Sequence, residues 1–530
     1  MAHLGTRRGR ALALPVGLAL TASLGFLPVG AASAAPAEDV PAAVAADGPN
    51  LSYVVNTAGG KHTAKVKKAI SEAGGTVVTS YDAIGVIVVH SKNPAFAETI
   101  RAVRGVQSAG ATRTAPLTPL ATTEVDEAAE PLTAAEARSA AAAAEEGQDP
   151  LEPLQWSLPA IKADKAHEIS TGSSKVTVAV IDTGVDDTHP DLAPNFDRAA
   201  SANCVTGKAD TTEGSWRPAP GESDHGTHVA GTIAAAKNGV GVTGVAPGVK
   251  VSGIKVSNPD GFFYTEAVVC GFMWAAEHGV EVTNNSYYVD PWMFNCKNDP
   301  DQGALAEALQ RATRYAERKG AVNVAAAGNS AYDLASDAIT DTTSPNDTTP
   351  TERVIDPKVC PDVPTMLPGV VTVSSTGAKD LKASYSNYGL GVVDIAAPGG
   401  DRTEYQTPDA PAVNGRILST TVNGGYNYKA GTSMASPHAA GVVALIKSKH
   451  PRATPAMVKA LLFAQADKRA CTNPYDINGD GKVDAVCEGG KGYNAFYGTG
   501  LAVGGLDEPG AVPGVGARGA HDVRVADLGA

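Results

Sequence analysis

Six short, strongly apolar segments recur through the last two thirds of this chain, separated by longer stretches with helical spacing. Residues 176–181, 250–256, 280–286, 321–327, 370–375 and 392–397 read as strands, and 265–278, 302–319, 434–448 and 455–466 as helices. Strands apolar on both faces and separated by helices imply a mainly parallel sheet with helices on both faces, an α/β architecture. The chain has 530 residues, enough for more than one folded unit, and its 43% hydrophobic and 19% charged content is that of an ordinary globular protein. In sheets of this kind ligands gather at the carboxyl ends of the strands. Asp182, Ser286 and Asn329 fall at or just past three such ends.

Three segments carry chemistry. Val176 to Val185 is a buried strand ending on Asp182-Thr183-Gly184. Asp224-His225-Gly226-Thr227-His228 opens a helix. Gly431-Thr432-Ser433-Met434-Ala435-Ser436-Pro437-His438 runs into an apolar helix, so that a small residue exposes the Ser433 hydroxyl and the helix dipole points at it. Pro437 reads as a first-turn proline. Singly, each has an ordinary role: a turn aspartate, a helix-capping serine. His225 and His228 lack the acidic companion of a His-Glu-x-x-His metal site.

Together, in the chain order Asp, His, Ser, these segments resemble the signatures of the subtilisin-like serine proteases. The resemblance implies Ser433 as nucleophile, His225 as general base, Asp182 as the group that orients and stabilises the imidazolium, and Asn329 of Ala325-Ala326-Ala327-Gly328-Asn329 as oxyanion donor beside the Ser433 backbone N–H. It implies a polypeptide substrate lying along Gly261 and Phe262 of the 255–263 segment on one side and Ser286, Tyr287 and Tyr288 on the other. Tyr287 and Tyr288 replace a leucine and a glycine of the family pattern; they either pack against the loop holding Trp292 and Phe294 or narrow the primary pocket.

Calcium is the cofactor the resemblance implies, with no organic cofactor. The loop carrying Ala236, Asn238, Val240 and Val242 matches a calcium-wrapping segment, Asp191 matches its carboxylate ligand, and Glu152 is a candidate completing residue. Read directly, Asp476, Asn478, Asp480 and Asp484 stand at positions 1, 3, 5 and 9 of an EF-hand-type loop whose twelfth position is Cys487 in place of Glu.

The ends of the chain point to export. Arg7, Arg8 and Arg10, an apolar run and Ala32-Ser33-Ala34 read as a signal peptide over 1–34. Residues 50–112 alternate as βαββαβ, a small α+β ferredoxin-like domain, which in this position resembles the family's inhibitory propeptide. Residues 113–150 read as an acidic, alanine-rich linker, flexible or partly helical and not a packed element, holding the processing bond; 151–503 is the peptidase domain and 504–530 a loose tail. A net charge of −13 argues against nucleic acid or an anionic membrane as partner. Six cysteines in an exported chain favour disulfides, Cys471 with Cys487 first. The expectation is a secreted, monomeric, self-processing endopeptidase inhibited by its own propeptide. Its rival is a catalytically silent, secreted peptide-binding protein.

Overall fold

The alternation within Thr177–Asp182 explains the architecture. Val178 and Val180 enter one hydrophobic core, and Ala179 and Ile181 enter another on the opposite face. A strand apolar on both faces needs cover on both sides. The helices His225–Ala234, Thr432–Lys449 and Pro455–Gln465 supply one layer, and Thr265–Glu277 and Pro300–Lys319 the other. This computed structural model describes residues 48–59, 62–114, 129–402 and 414–504. The expected signal peptide and residues 505–530 of the expected tail lie outside them. The described residues all belong to one compact unit.

The central sheet has seven strands in the order Ile395–Pro398, Val371–Thr376, Val322–Ala326, Val282–Asn285, Thr177–Asp182, Lys250–Lys255, Ala202–Asn203, every neighbouring pair parallel. The chain moves to opposite sides of Thr177–Asp182 for its next two long strands, so a crevice opens at the carboxyl end of that strand. All six expected strands and four expected helices are present, their ends displaced by at most three residues. Helix Pro300–Lys319 starts two residues early because the Asp299 carboxylate accepts the N–H groups of Asp301 and Gln302.

Residues 48–114 form the expected α+β domain: a four-stranded antiparallel sheet ordered Gly75–Tyr81, Val86–Ser91, Leu51–Thr57, Val106–Ala111, with helices Thr63–Glu72 and Phe96–Arg101. Its sheet lies on helices Thr265–Glu277 and Pro300–Lys319, where Val54, Ile84 and Val86 join the same apolar core as Leu305 and Leu309. The Arg311 guanidinium reaches the carbonyls of Thr57, Ile84 and Gly85 at 2.9, 3.0 and 3.2 Å.

The stretch 113–150 is partly helical as expected, but from residue 129 onward it is packed, a correction to the unpacked linker. Glu130–Pro131 adds a third strand to the hairpin Ile417–Thr421 and Gly425–Lys429. Thr133 and Glu136 then form a capping box that starts helix Ala134–Ala143. Its alanines form a packing face, with Ala140 buried against Leu151, Leu418 and Tyr428, and Glu130 pairs with Arg416. Acidic residues counted as a charge run are thus individually spent on a cap and an ion pair. Disulfides join Cys204–Cys270, Cys296–Cys360 and Cys471–Cys487, the last as expected.

Candidate active site

Two linked sets lie at the carboxyl edge of the sheet: Asp182 with His225, and Ser286 with Ser433, whose neighbour Thr432 holds Asn329. Asp182 ends its strand buried, and its Oδ1 accepts the N–H of Thr183 at 2.7 Å and lies 2.8 Å from His225 Nδ1. Its Oδ2 is buried with no hydrogen-bond partner among the described residues. A carboxylate held this way fixes the imidazole as the Nδ1–H tautomer, which makes Nε2 the basic nitrogen. The helix carrying His225 comes close because the next residue is glycine: a Cβ on Gly226 would stand 2.4 Å from the Gly184 carbonyl oxygen.

His228 does not bind beside His225. Its Nε2 lies 3.1 Å from the Ile417 carbonyl and 3.2 Å from that of Asn427, so the ring spans both strands of the 417–429 hairpin. Burial, aided by the Lys429 ammonium, pushes it down to about 3, a neutral structural histidine. Asp224 completes the tether: burial alone would raise it, but Lys429 at 2.7 Å and Thr421 bring it down to about 2.

Ser433 is the second residue of helix Thr432–Lys449, where its N–H has no intrahelical partner. Its hydroxyl lies 3.3 Å from the Ser286 carbonyl. Pro437 lies inside the helix, a correction to the first-turn expectation. Lacking an N–H, it cannot bond the carbonyl four residues back, which is that of Ser433 itself. The Ser286 hydroxyl fills the vacancy at 3.0 Å, so the proline that weakens the helix also fastens the serine to the neighbouring strand end.

Asn329 is aimed by a residue that sequence reasoning passed over. Its Oδ1 accepts both the N–H and the hydroxyl of Thr432 at 2.8 Å, which forces the amide nitrogen to the opposite side. That Nδ2 is buried without a partner among the described residues. Thr432 stands between glycine and serine in Gly-Thr-Ser, and only that placement hinted at more than a cap. Gly328 (φ 98°) makes the turn, with no room for a side chain against Asn387, whose own Oδ1 receives the N–H groups of Ser330 and Tyr332.

The expected substrate walls face each other. Gly261 lies in a turn closed by the Asn258 side chain, and Phe262 is buried, stacked on Tyr264. Tyr287 is stacked flat on Phe263 at 4.6 Å, with its hydroxyl donating to Asn285. Tyr288 packs with Met293 and Phe294 and accepts a hydrogen bond from Asn346. Both tyrosines are therefore packed, and Tyr287 also links the two walls. Asp290, pushed up to about 7 by burial, receives the Phe263 N–H.

The Asp191 loop gathers polar groups around one buried carboxylate. Asp191 Oδ2 takes the Val242 N–H and the Tyr426 hydroxyl, both at 3.0 Å, while Oδ1 is buried and unpartnered among the described residues. Ala236 N–H bonds the Asp191 carbonyl, and the Asn238 side chain bonds Val240 N–H and the Pro190 carbonyl. Glu152 sits nearby on Asp149, Thr243 and Lys237. One orphaned buried carboxylate oxygen among hard oxygen donors fits a calcium ion. In the 476–484 loop, Asp476, Asn478, Asp480 and Asp484 spend their oxygens on the loop's own amides, and Asp480 also faces the Lys482 ammonium. Among the described residues no three acidic, histidine or cysteine side chains converge on one point.

Comparison with known proteins agrees with this geometry. The Subtilase family profile matches residues 173–500. Subtilisin BL of Lederbergia lenta is 32% identical over 330 residues, 62% of this chain and 96% of that protein. Fervidolysin of Fervidobacterium pennivorans is 30% identical over 371 residues, 63% and 44%. Among solved structures, the epidermin leader peptide processing serine protease of Staphylococcus aureus matches 86% of this chain and 97% of its own, with a TM-score of 0.61 and 25% identity.

Proposed function

Since the chain belongs to the subtilase family and is a subtilisin-like serine endopeptidase acting on polypeptides, we propose that it cuts them through Ser433, His225 and Asp182 and is made as a self-processing, exported zymogen. The observation that carries the reading is the pairing of a buried Asp182–His225 contact with an Asn329 amide nitrogen, unpartnered among the described residues, whose oxygen is held by Thr432 next to Ser433. In the forward step His225 Nε2 takes the Ser433 proton as Oγ bonds the scissile carbonyl carbon. The oxygen left negative meets two donors, Asn329 Nδ2 and the Ser433 N–H. His225 then protonates the leaving amine, and water repeats the sequence on the acyl-enzyme. A fluorophosphonate probe tests this, because only an activated serine labels. An adduct on Ser433 is expected, and its absence from folded, mature protein would favour a silent peptide binder. Asn329→Ala is expected to lower kcat about 10²–10³-fold with little change in KM, the cost of one oxyanion donor; steady-state kinetics check it.

The 48–114 domain has the position and packing of an inhibitory propeptide. Thr114 at its end is held by Asp347, and Glu130 is held by Arg416; the bond cut on maturation follows this domain, in the 113–150 stretch read from the sequence. No helix among the described residues is long and apolar enough to cross a membrane. The leader read over 1–34 supports an extracellular enzyme. Asp191, Asn238 and the carbonyls of Ala236, Val240 and Val242 would hold calcium, which would pin that loop. Calcium at 100 times its Kd is expected to stabilise the protein by about 2.7 kcal/mol. Thermal melts with calcium or chelator should show this as a rise of several degrees that Asp191→Asn abolishes; equal melts would remove the ion from the account.

A further inference from the structure

The end of the N-terminal domain sends one charged side chain into the protease body. Arg113 Nη2 lies 2.6 Å from Glu266 Oε1, with the two side chains only 10% and 3% exposed. Its guanidinium carbon sits 4.0 Å from the centre of the Tyr264 ring. The following residue is clamped too: the Thr114 N–H donates to Asp347 Oδ2 at 2.8 Å and its hydroxyl to Oδ1. Glu266 belongs to the first turn of helix Thr265–Glu277, and its Oε2 is buried with no partner among the described residues. Beside the ion pair lies a cavity of about 210 Å³ whose walls include Val256, Asn258, Phe262 and Tyr264, the same edge that carries the candidate substrate contacts.

Burying a carboxylate is costly unless a cation answers it. The protease body carries Glu266 whether or not the N-terminal domain stays, so its built-in partner is lost on maturation. What remains is a carboxylate with one oxygen unpartnered among the described residues, and an aromatic face where the guanidinium lay. Beside them is the Val256, Asn258 and Phe262 side of the cavity, which loses the walls that Asn50, Leu51, Ser52, His90 and Arg113 supply. A planar guanidinium suits all three: it pairs with the carboxylate and stacks on the ring.

We propose that Glu266 and Tyr264 form a subsite that selects a basic side chain, arginine above lysine, on the acyl side of the scissile bond, with Arg113 occupying it in the zymogen. This rests on the protease reading above, since Arg113 precedes the bond whose cleavage frees the enzyme and so lies on the acyl side of it. The subsite lies away from the nucleophile, next to the Phe263–Tyr287 stack, and selects without touching the reacting atoms.

Mature wild-type enzyme is given peptides with one fixed cleavable bond, in which each acyl-side position is set in turn to Arg, Lys, Ala or Glu. At one position beyond the residue next to the cut, Arg is expected to exceed Ala in kcat/KM by about tenfold or more, with Glu the poorest, since a hydrogen bond to a charged group is lost. Glu266→Gln should bring that Arg-to-Ala ratio close to one. Tyr264→Leu should reduce it independently, which keeps the test open if the first variant does not fold. Active enzyme with no basic preference at any such position, or a preference that survives both substitutions, overturns the subsite alone. No cleavage together with no fluorophosphonate labelling overturns the protease reading and the subsite with it.

Discussion

Ser433→Ala is expected to lower peptide hydrolysis on the order of 10⁶-fold, the size found when the nucleophile of a subtilisin is removed. The fold should survive, because the change deletes one buried oxygen whose hydrogen bond to the Ser286 carbonyl is long, 3.3 Å. The Ser433 carbonyl, which holds Ser286 against the helix, is untouched. Loss of activity with unchanged thermal stability would place the effect in the chemistry. A variant retaining more than about 10⁻³ of wild-type turnover would mean that the hydroxyl is not the nucleophile, since the oxyanion donors and binding alone supply only about 10³–10⁴ over water.

Asp182→Asn should be the second largest effect, about 10⁴-fold in kcat, with substrate affinity nearly unchanged. The Asp182 side chain contacts the imidazole and not the substrate, and its Oδ1 already holds Nδ1–H at 2.8 Å. An asparagine amide can turn its N–H₂ toward Nδ1, which would move the ring proton to Nε2 and block the base. Steady-state kinetics check this: a rise in KM with kcat intact would contradict it. The losses should not add, because the double variant has no activated nucleophile left to lose. Ser433→Ala and the double variant are expected to reach nearly the same floor, about 100-fold below Asp182→Asn alone.

Much of the arrangement was legible in the residues because the same signals act locally. An apolar strand such as Thr177–Asp182 buries both faces and can only be central, and its final carboxylate then sits in the crevice. Gly226 and Gly328 mark close approaches that permit no side chain, and both lie inside the segments that carried the family resemblance. Long-range partners were not legible. Ser286 binding the carbonyl that Pro437 leaves open spans 147 residues, and Thr432 turning the Asn329 amide spans 103. The acidic stretch was misread for the same reason: Glu130 finds Arg416, 286 residues away, and a charge count cannot see that. Arg113 and Glu266, 153 residues apart, gave no sign in sequence of meeting in one buried pair.

Intact mass of the full-length chain, expressed in an exporting host beside Ser433→Ala, tests the central claim most directly. The wild type is expected to lose its N-terminal part up to a bond beyond Arg113 in the 113–150 stretch, and the variant to keep everything beyond the leader. Identical maturation of the two proteins would contradict self-processing by Ser433.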